Sequence, residues 1–176
     1  MMEKIAIGAN RVVQFKPGVG QNQQVRASEF NDLVEYVSTA DILIANGSTL
    51  SLTKQDTGKT IILDRAAGCT VTLPIDAIGL TYKFLVTTTV TSNSYIVTSA
   101  DAADLMMGGI SIIDDVTPEV ATMFKPDLSN DIIMTMNGTT TGGKIGTEFT
   151  VTCVKENRWY VAGRLAGSGT LATPFS

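Results

Sequence analysis

The feature that most constrains this chain is an alternation of apolar and polar residues that begins near residue 49 and continues to the C-terminus. It is clearest between Phe149 and Cys153, where every second residue is apolar and the residues between are threonine. This period indicates β-strands with one buried face, because successive side chains of a strand point to opposite sides. We predict strands at Thr49–Lys54, Lys59–Asp64, Cys69–Leu73, Tyr82–Thr87, Tyr95–Thr98, Ile110–Ile113, Asp131–Met136, Glu148–Lys155 and Trp159–Leu165.

Turn-forming residues separate the predicted strands. Asp56-Thr57-Gly58, Asn137-Gly138 and Gly142-Gly143 are three of these breaks, and such residues favour the backbone geometry of tight turns. Many short strands with frequent turns indicate a mainly β fold, an antiparallel β-sandwich or barrel similar to a jelly roll. We predict that residues 49–176 form this β body.

The first 26 residues are expected to form an extended arm. One short strand is predicted within Ile5–Phe15, and Lys16-Pro17-Gly18 ends it. In assemblies, such arms can lie across a neighbouring subunit, whereas in isolation chain ends are commonly disordered. The arm residues that we name as candidate contacts are Phe15, Pro17, Val19 and Val25.

Residues 27–48 are expected to contain one short helix and a connector. Ser28 is a suitable N-cap, and Glu29 falls in the first turn, where the helix dipole favours negative charge. Ile42-Leu43-Ile44 is either a strand or a packing segment of the connector. The apolar stripe of the predicted helix consists of Phe30, Leu33, Val34 and Val37.

The composition restricts the partners of the chain. Charged residues make up 17% of it, against about 25% in a typical soluble domain, so part of the surface is expected to lie against neighbours. The net charge of -4 and the scattered Lys and Arg residues argue against nucleic acid. No apolar run approaches the roughly 20 residues of a membrane span. Because the N-terminus also lacks the pattern of a signal peptide, we expect use without secretion.

The cysteines fit this interpretation. Cys69 and Cys153 each lie on the apolar side of a predicted strand. Because disulfides are rare in proteins that are not secreted, two buried thiols are expected, with a disulfide between them as the alternative.

The residues needed for common catalytic chemistry are missing or badly spaced. The chain has no histidine, which excludes Ser-His-Asp and Cys-His catalysis and zinc bound by histidine. Gly58-Lys59-Thr60 matches the end of a phosphate-binding loop, but the position that requires the first glycine holds Thr53. We interpret this segment as a tight turn and predict no cofactor and no enzymatic activity.

Acidic residues gather in one part of the chain without a ligand pattern. Their spacing lacks the alternating ligands of a calcium loop. Two carboxylates brought together by folding would be enough for a glycosidase, so a small carbohydrate-active enzyme stays as a third hypothesis beside solvated loop carboxylates. The residues concerned are Asp101, Asp104, Asp114 and Asp115.

Two groups of apolar residues are candidates for contacts with other molecules. Trp159 either packs in the core with Val161 or belongs to a sugar-stacking surface, but it cannot share one face with Tyr160 if both lie on a strand. The segment from Ala100 to Lys125 is less regular, and is either an exposed contact patch or an interior loop. Its candidate contact residues are Met106, Met107, Met123 and Phe124.

Several stretches resemble the β-rich module of bacteriophage virion proteins known as head decoration or tail-associated proteins. The similarity covers residues 49–176 and includes the closing residues Thr173 to Ser176. It implies a protein that binds a capsid or tail surface, commonly as a trimer, and it brings no catalytic residues. The stretches that carry it are Leu50–Asp64, Gly68–Pro74, Gly79–Phe84 and Trp159–Gly163.

Two functional hypotheses follow from this resemblance. The first is a capsid decoration, or cement, protein on the outer surface of a phage head, made in the bacterial cytoplasm, with the major capsid protein and its own copies as partners. The arm would then grip the shell or a neighbouring subunit, and Phe175 is a further candidate contact. The alternative is a tail or fibre module that recognises carbohydrate on the host surface. Loops poor in aromatic residues favour the first.

Overall fold

The computed structural model describes residues 4–7, 11–14, 42–75, 77–117 and 120–176. Near the N-terminus, strands β1 (Lys4–Ile7) and β2 (Arg11–Gln14) pair antiparallel as a hairpin. The structure therefore has two strands in the region where the sequence predicted one short strand within Ile5–Phe15.

The chain divides into two compact units, Met1–Ala40 and Asp41–Ser176. The β1–β2 hairpin belongs to the first unit. The helix predicted after Ser28 lies outside the described residues, as do the candidate contacts Phe15, Pro17, Val19 and Val25. The sequence left open whether Ile42-Leu43-Ile44 is a strand or a packing segment. In the structure, Ile42–Ala45 is a strand of the second unit.

The second unit consists of strands β3 to β13 and, between β4 and β5, a 3-10 helix at Lys54–Asp56. The strands are β3 (Ile42–Ala45), β4 (Thr49–Ser51), β5 (Thr60–Leu63), β6 (Cys69–Thr72), β7 (Thr81–Val86), β8 (Tyr95–Thr98), β9 (Leu105–Asp114), β10 (Ala121–Phe124), β11 (Ile133–Met136), β12 (Glu148–Lys155) and β13 (Arg158–Gly167).

These strands form two sheets, which confirms the prediction of a mainly β fold. The larger sheet has seven strands in the order β10-β9-β13-β12-β7-β5-β3, and the smaller has four in the order β11-β8-β6-β4. From β3 to β8 the chain crosses from one sheet to the other after every strand, so that each pair of consecutive strands makes one coil. Pro174 to Ser176 then pair with β11 along its free side, through the backbone bond from Thr135 N–H to the Pro174 carbonyl.

Strand direction is where the structure departs from the predicted antiparallel, jelly-roll-like sandwich. The coils make β3, β5 and β7 parallel in one sheet and β4, β6 and β8 parallel in the other. The strand β13 also runs parallel to β9, whereas β12 runs antiparallel to both β7 and β13. Alternation of apolar and polar residues is the same in parallel and antiparallel strands, so the sequence pattern carries no information about direction.

A single apolar layer lies between the sheets. Phe84 and Phe149 stack with ring centroids 4.7 Å apart, and Tyr82 lies 6.2 Å from Trp159. All four rings are fully buried, and burial of one such side chain stabilises the fold by about 2 to 3 kcal/mol. The prediction that Trp159 packs in the core is therefore confirmed. The Tyr82 hydroxyl donates to the Thr53 carbonyl at 2.8 Å, and burial raises its pKa to about 12.

The two cysteines lie at opposite ends of this layer. Cys69 begins β6, beside Tyr95, where β5 has just crossed over. Cys153 lies near the other end of β12, one residue after Thr152, which pairs with Thr81 of β7. Both are buried and do not form a disulfide with each other, as predicted.

Two glycines allow a matched test of the loop packing. Gly138 (φ 81°) and Gly58 (φ 83°) both have a backbone conformation that side chains disfavour, but a Cβ at Gly138 would lie 1.9 Å from the Val90 carbonyl oxygen, whereas Gly58 has open space. We expect Gly58→Ala to lower the free energy of unfolding by about 1 kcal/mol and Gly138→Ala by about 3 kcal/mol or more. Denaturant unfolding of both variants measures the difference, and equal losses would contradict this packing.

Candidate functional site

Within the segment predicted to be irregular, residues 100–125, strands β9 and β10 pair as a hairpin at one edge of the seven-stranded sheet. Its strands β9 and β10 pair from Phe124–Ile110 to Ala121–Ile113. The turn is held by Asp114, whose carboxylate accepts the Val116 N–H at 3.0 Å and the Thr117 hydroxyl at 2.9 Å. These hydrogen bonds lower the pKa of Asp114. The bond from the Val116 N–H has the largest effect and the bond from the Thr117 hydroxyl the next largest, so the carboxylate stays charged at neutral pH.

Exposed apolar side chains surround this turn. Val116 is 75% exposed, Val120 51% and Met123 71%. The Lys144 ammonium lies 2.6 Å from the Asp115 carboxylate and ties the neighbouring loop to the turn, which brings the exposed Ile145 to the same end of the body. We call Val116, Val120, Met123 and Ile145 the hairpin patch. Exposed apolar side chains that gather at one end of the body make this end a candidate contact site.

Five of the residues predicted to contact other molecules lie in the described part of the chain, and of these only Met123 is exposed. Met106 is fully buried, because the strand alternation turns it into the core beside Trp159, and Phe175 is buried where it bridges to Met134. Both predictions as surface contacts were therefore wrong. Met107 is half-buried, and Phe124 packs partly buried against the core.

Sequence reasoning missed Val116, Val120 and Ile145. The available signal was an apolar residue inside a polar turn, as in Asp115-Val116-Thr117 and Lys144-Ile145-Gly146. An apolar residue in a turn has no strand to bury it, so its exposure could have been inferred from the turn residues around it.

A second surface lies on the outer side of the four-stranded sheet. In each strand, the residues that alternate with the buried ones point outward. The pairing register aligns these outward residues in two rows that cross the sheet. None of these side chains is charged, whereas the outer side of the seven-stranded sheet carries Lys83, Glu148 and Arg164. We call this surface the threonine face: Thr49, Ser51, Thr70, Thr72, Ile96, Thr98, Ile133 and Thr135.

A shallow groove of about 310 Å³ crosses the outer side of β12 and β13, with Gly163 in its lining. The lining also includes Glu148 and Arg164. The Lys83 ammonium binds Glu148 at 3.0 Å, and this hydrogen bond holds the pKa of Glu148 below its usual value. A glycosidase acid needs a raised pKa, so Glu148 is unsuited to that role.

The acidic residues singled out in the sequence do not form one cluster. Asp101 and Asp104 precede β9, and Asp114 and Asp115 stand at its other end, about 30 Å away along a ten-residue strand. Within the described ranges, no group of metal-ligating side chains is suited to an ion. Lys59 of the phosphate-loop-like segment binds Asp56 at 2.9 Å, and Thr60 begins a strand, as the turn interpretation predicted.

The aromatic pair at residues 159 and 160 also follows the sequence prediction. Trp159 is fully buried, and Tyr160 on the opposite face is 42% exposed. Tyr160 stands two residues before Ala162 in the groove, on the same side of β13. It is therefore the one member of the pair that a ligand on this face could contact.

Comparison with known proteins adds no relative: no family model, curated protein or solved structure matches the chain. Among the described residues, no helix is long and apolar enough to cross a membrane.

Proposed function

We propose that this chain is a non-catalytic structural protein of a bacteriophage particle, a capsid decoration protein that binds the outer surface of the head as a homotrimer and stabilises it. The observation that carries the proposal is the hairpin patch, in which Val116, Val120 and Met123 expose apolar side chains from a hydrogen-bonded hairpin. The resemblance of residues 49–176 to virion modules supplies the class of particle.

The hairpin patch suits binding to a repeated lattice. The hydrogen bonds of Asp114 and the Asp115–Lys144 ion pair order residues 114–117 before any partner arrives, so little conformational entropy is lost there on binding. Four apolar side chains make a small contact, and a single one is expected to be weak. Several copies joined in one oligomer and bound to equivalent lattice sites gain affinity through effective concentration. Binding to the assembled lattice then stabilises the assembled lattice by mass action.

An alternative function, host-surface carbohydrate recognition by a tail or fibre module, is supported by one observation. Tyr160 is exposed on the side of the sheet that holds the groove with Glu148 and Arg164. An aromatic ring with charged hydrogen-bonding groups nearby is a usual arrangement for sugars. The alternative gives a different location for the protein, which the first experiment tests.

The test of the proposed function is immunogold labelling of intact particles from the source with an antibody to the chain. Label distributed over the head is expected for a decoration protein. Label confined to the tail or its fibres would instead support carbohydrate recognition. Particles without label would contradict both functions and favour the hypothesis of a small carbohydrate-active enzyme.

The contribution of the hairpin patch can be measured with two matched variants. Met123→Lys places a charge in the patch, whereas Ile78→Lys makes a similar change at a residue that is 72% exposed outside it. We expect Met123→Lys to weaken binding to heads lacking the protein by roughly tenfold to hundredfold, since a charge buried against an apolar partner costs about 1 to 3 kcal/mol. Co-sedimentation with the heads measures binding. If Ile78→Lys weakens binding as much, the patch is not the contact.

The arm can be tested by deletion. Among the described residues, the apolar core is formed within the Asp41–Ser176 unit, so a chain lacking residues 1–26 is expected to keep cooperative unfolding and a β-sheet circular dichroism spectrum, less the contribution of the β1–β2 hairpin. If the arm anchors the protein, the shortened chain no longer sediments with heads. Binding at full occupancy would refute the anchoring role and leave the hairpin patch as the main contact.

A further inference from the structure

The threonine face differs from the other outer surface of the body in its lack of charge. Its two rows run Thr49–Thr70–Ile96–Thr135 and Ser51–Thr72–Thr98–Ile133. On the seven-stranded sheet, the corresponding central position is Thr150, which stands between Lys83 and Ala162. The charged groups of the two sheets are therefore distributed very unequally.

This distribution matters for contact between identical molecules. Each copy carries a net charge of -4, so copies repel one another on average. An uncharged face is a place where two copies can meet without opposing like charges, which is costly at an interface. For the same reason, a charged partner gains no ion pair there.

The side chains of the face are also compatible with copies of themselves. A threonine hydroxyl both donates and accepts hydrogen bonds, so a row of threonines can pair with an identical row. The methyl groups of threonine and the side chains of Ile96 and Ile133 supply apolar area between the hydroxyls. Such self-complementarity suits an assembly in which the same face of every copy is turned toward the others, across a two-fold axis or around the axis of a trimer.

One margin of the face is closed by the chain itself. Backbone bonds between Ile133 and Ser176 and from Thr135 to Pro174 cover the free side of β11. Because these bonds satisfy backbone groups at that edge, another molecule has less opportunity to add a strand there. Association through this part of the sheet is thereby directed to its face.

We propose that copies of this chain associate through the threonine face, outer sheet surface against outer sheet surface. In a trimer, the three faces surround the symmetry axis as the sides of a prism. The inference rests on the self-association that the proposed function includes, and it does not depend on the identity of the particle. The hairpin patch stands at the edge of the other sheet and stays available for the capsid.

The test compares the full-length protein with two variants that carry the same substitution on the two outer faces. Thr72→Glu introduces a charge at the centre of the threonine face, and Thr150→Glu introduces one on the seven-stranded sheet beside Lys83. Analytical ultracentrifugation over a range of concentrations gives the mass, in multiples of 18.7 kDa, and the dissociation constant. Circular dichroism and thermal melting confirm that each variant is folded.

We expect the wild type and Thr150→Glu to associate alike, and Thr72→Glu to associate at least roughly a hundredfold more weakly, because its charges meet in the contact. If Thr72→Glu does not fold, Thr49→Glu on the edge strand replaces it. A wild type that is monomeric throughout would overturn the proposal, as would two variants with equal losses or a loss in Thr150→Glu alone. Head labelling is read independently, so failure of this face and failure of the particle assignment are distinguishable.

Discussion

The apolar layer between the two sheets is the constraint on which the rest of the body depends. The chain crosses between the sheets after every strand from β3 to β8, and each crossing delivers alternate residues of the next strand into the same layer. Tyr82, Phe84, Phe149 and Trp159 fill the inner side of the larger sheet. A one-residue slip in any of these strands would turn its apolar side chains to solvent, so the layer fixes the register and, through it, both outer faces.

The loops at the end where β5 and β7 cross over are ordered by polar bonds. The Tyr95 hydroxyl accepts from the Arg65 N–H at 2.8 Å and donates to the Thr88 carbonyl at 2.8 Å. Asp64 accepts from the hydroxyls of Thr87 and Thr88. The part-buried bonds of Tyr95 in particular stabilise one arrangement of the loops, and residues 137–147 pack on them through the close approach of Gly138 to Val90.

The two contact surfaces that we propose have different physical bases. The hairpin patch is a set of exposed apolar side chains on the β9–β10 hairpin and at Ile145, next to the hydrogen bonds that the Asp114 carboxylate accepts. The threonine face is a regular array of uncharged hydroxyl and methyl groups in the register of the sheet. A protein that must bind both a foreign lattice and its own copies benefits from this separation, because one contact can form without competing with the other.

The sequence by itself determined the β class of the fold, the buried position of Trp159, the turn at Gly58 and the lack of histidine-based chemistry, because alternation, turn residues and composition are local properties. Only the tertiary structure decided strand direction, since period two is common to parallel and antiparallel pairs. It also decided which apolar residues of the segment 100–125 are exposed: the long strand β9 buries Met106, while the turn exposes Val116. The threonine face could also be recognised only in the tertiary structure, because rows that cross four strands depend on a pairing register that no single strand encodes.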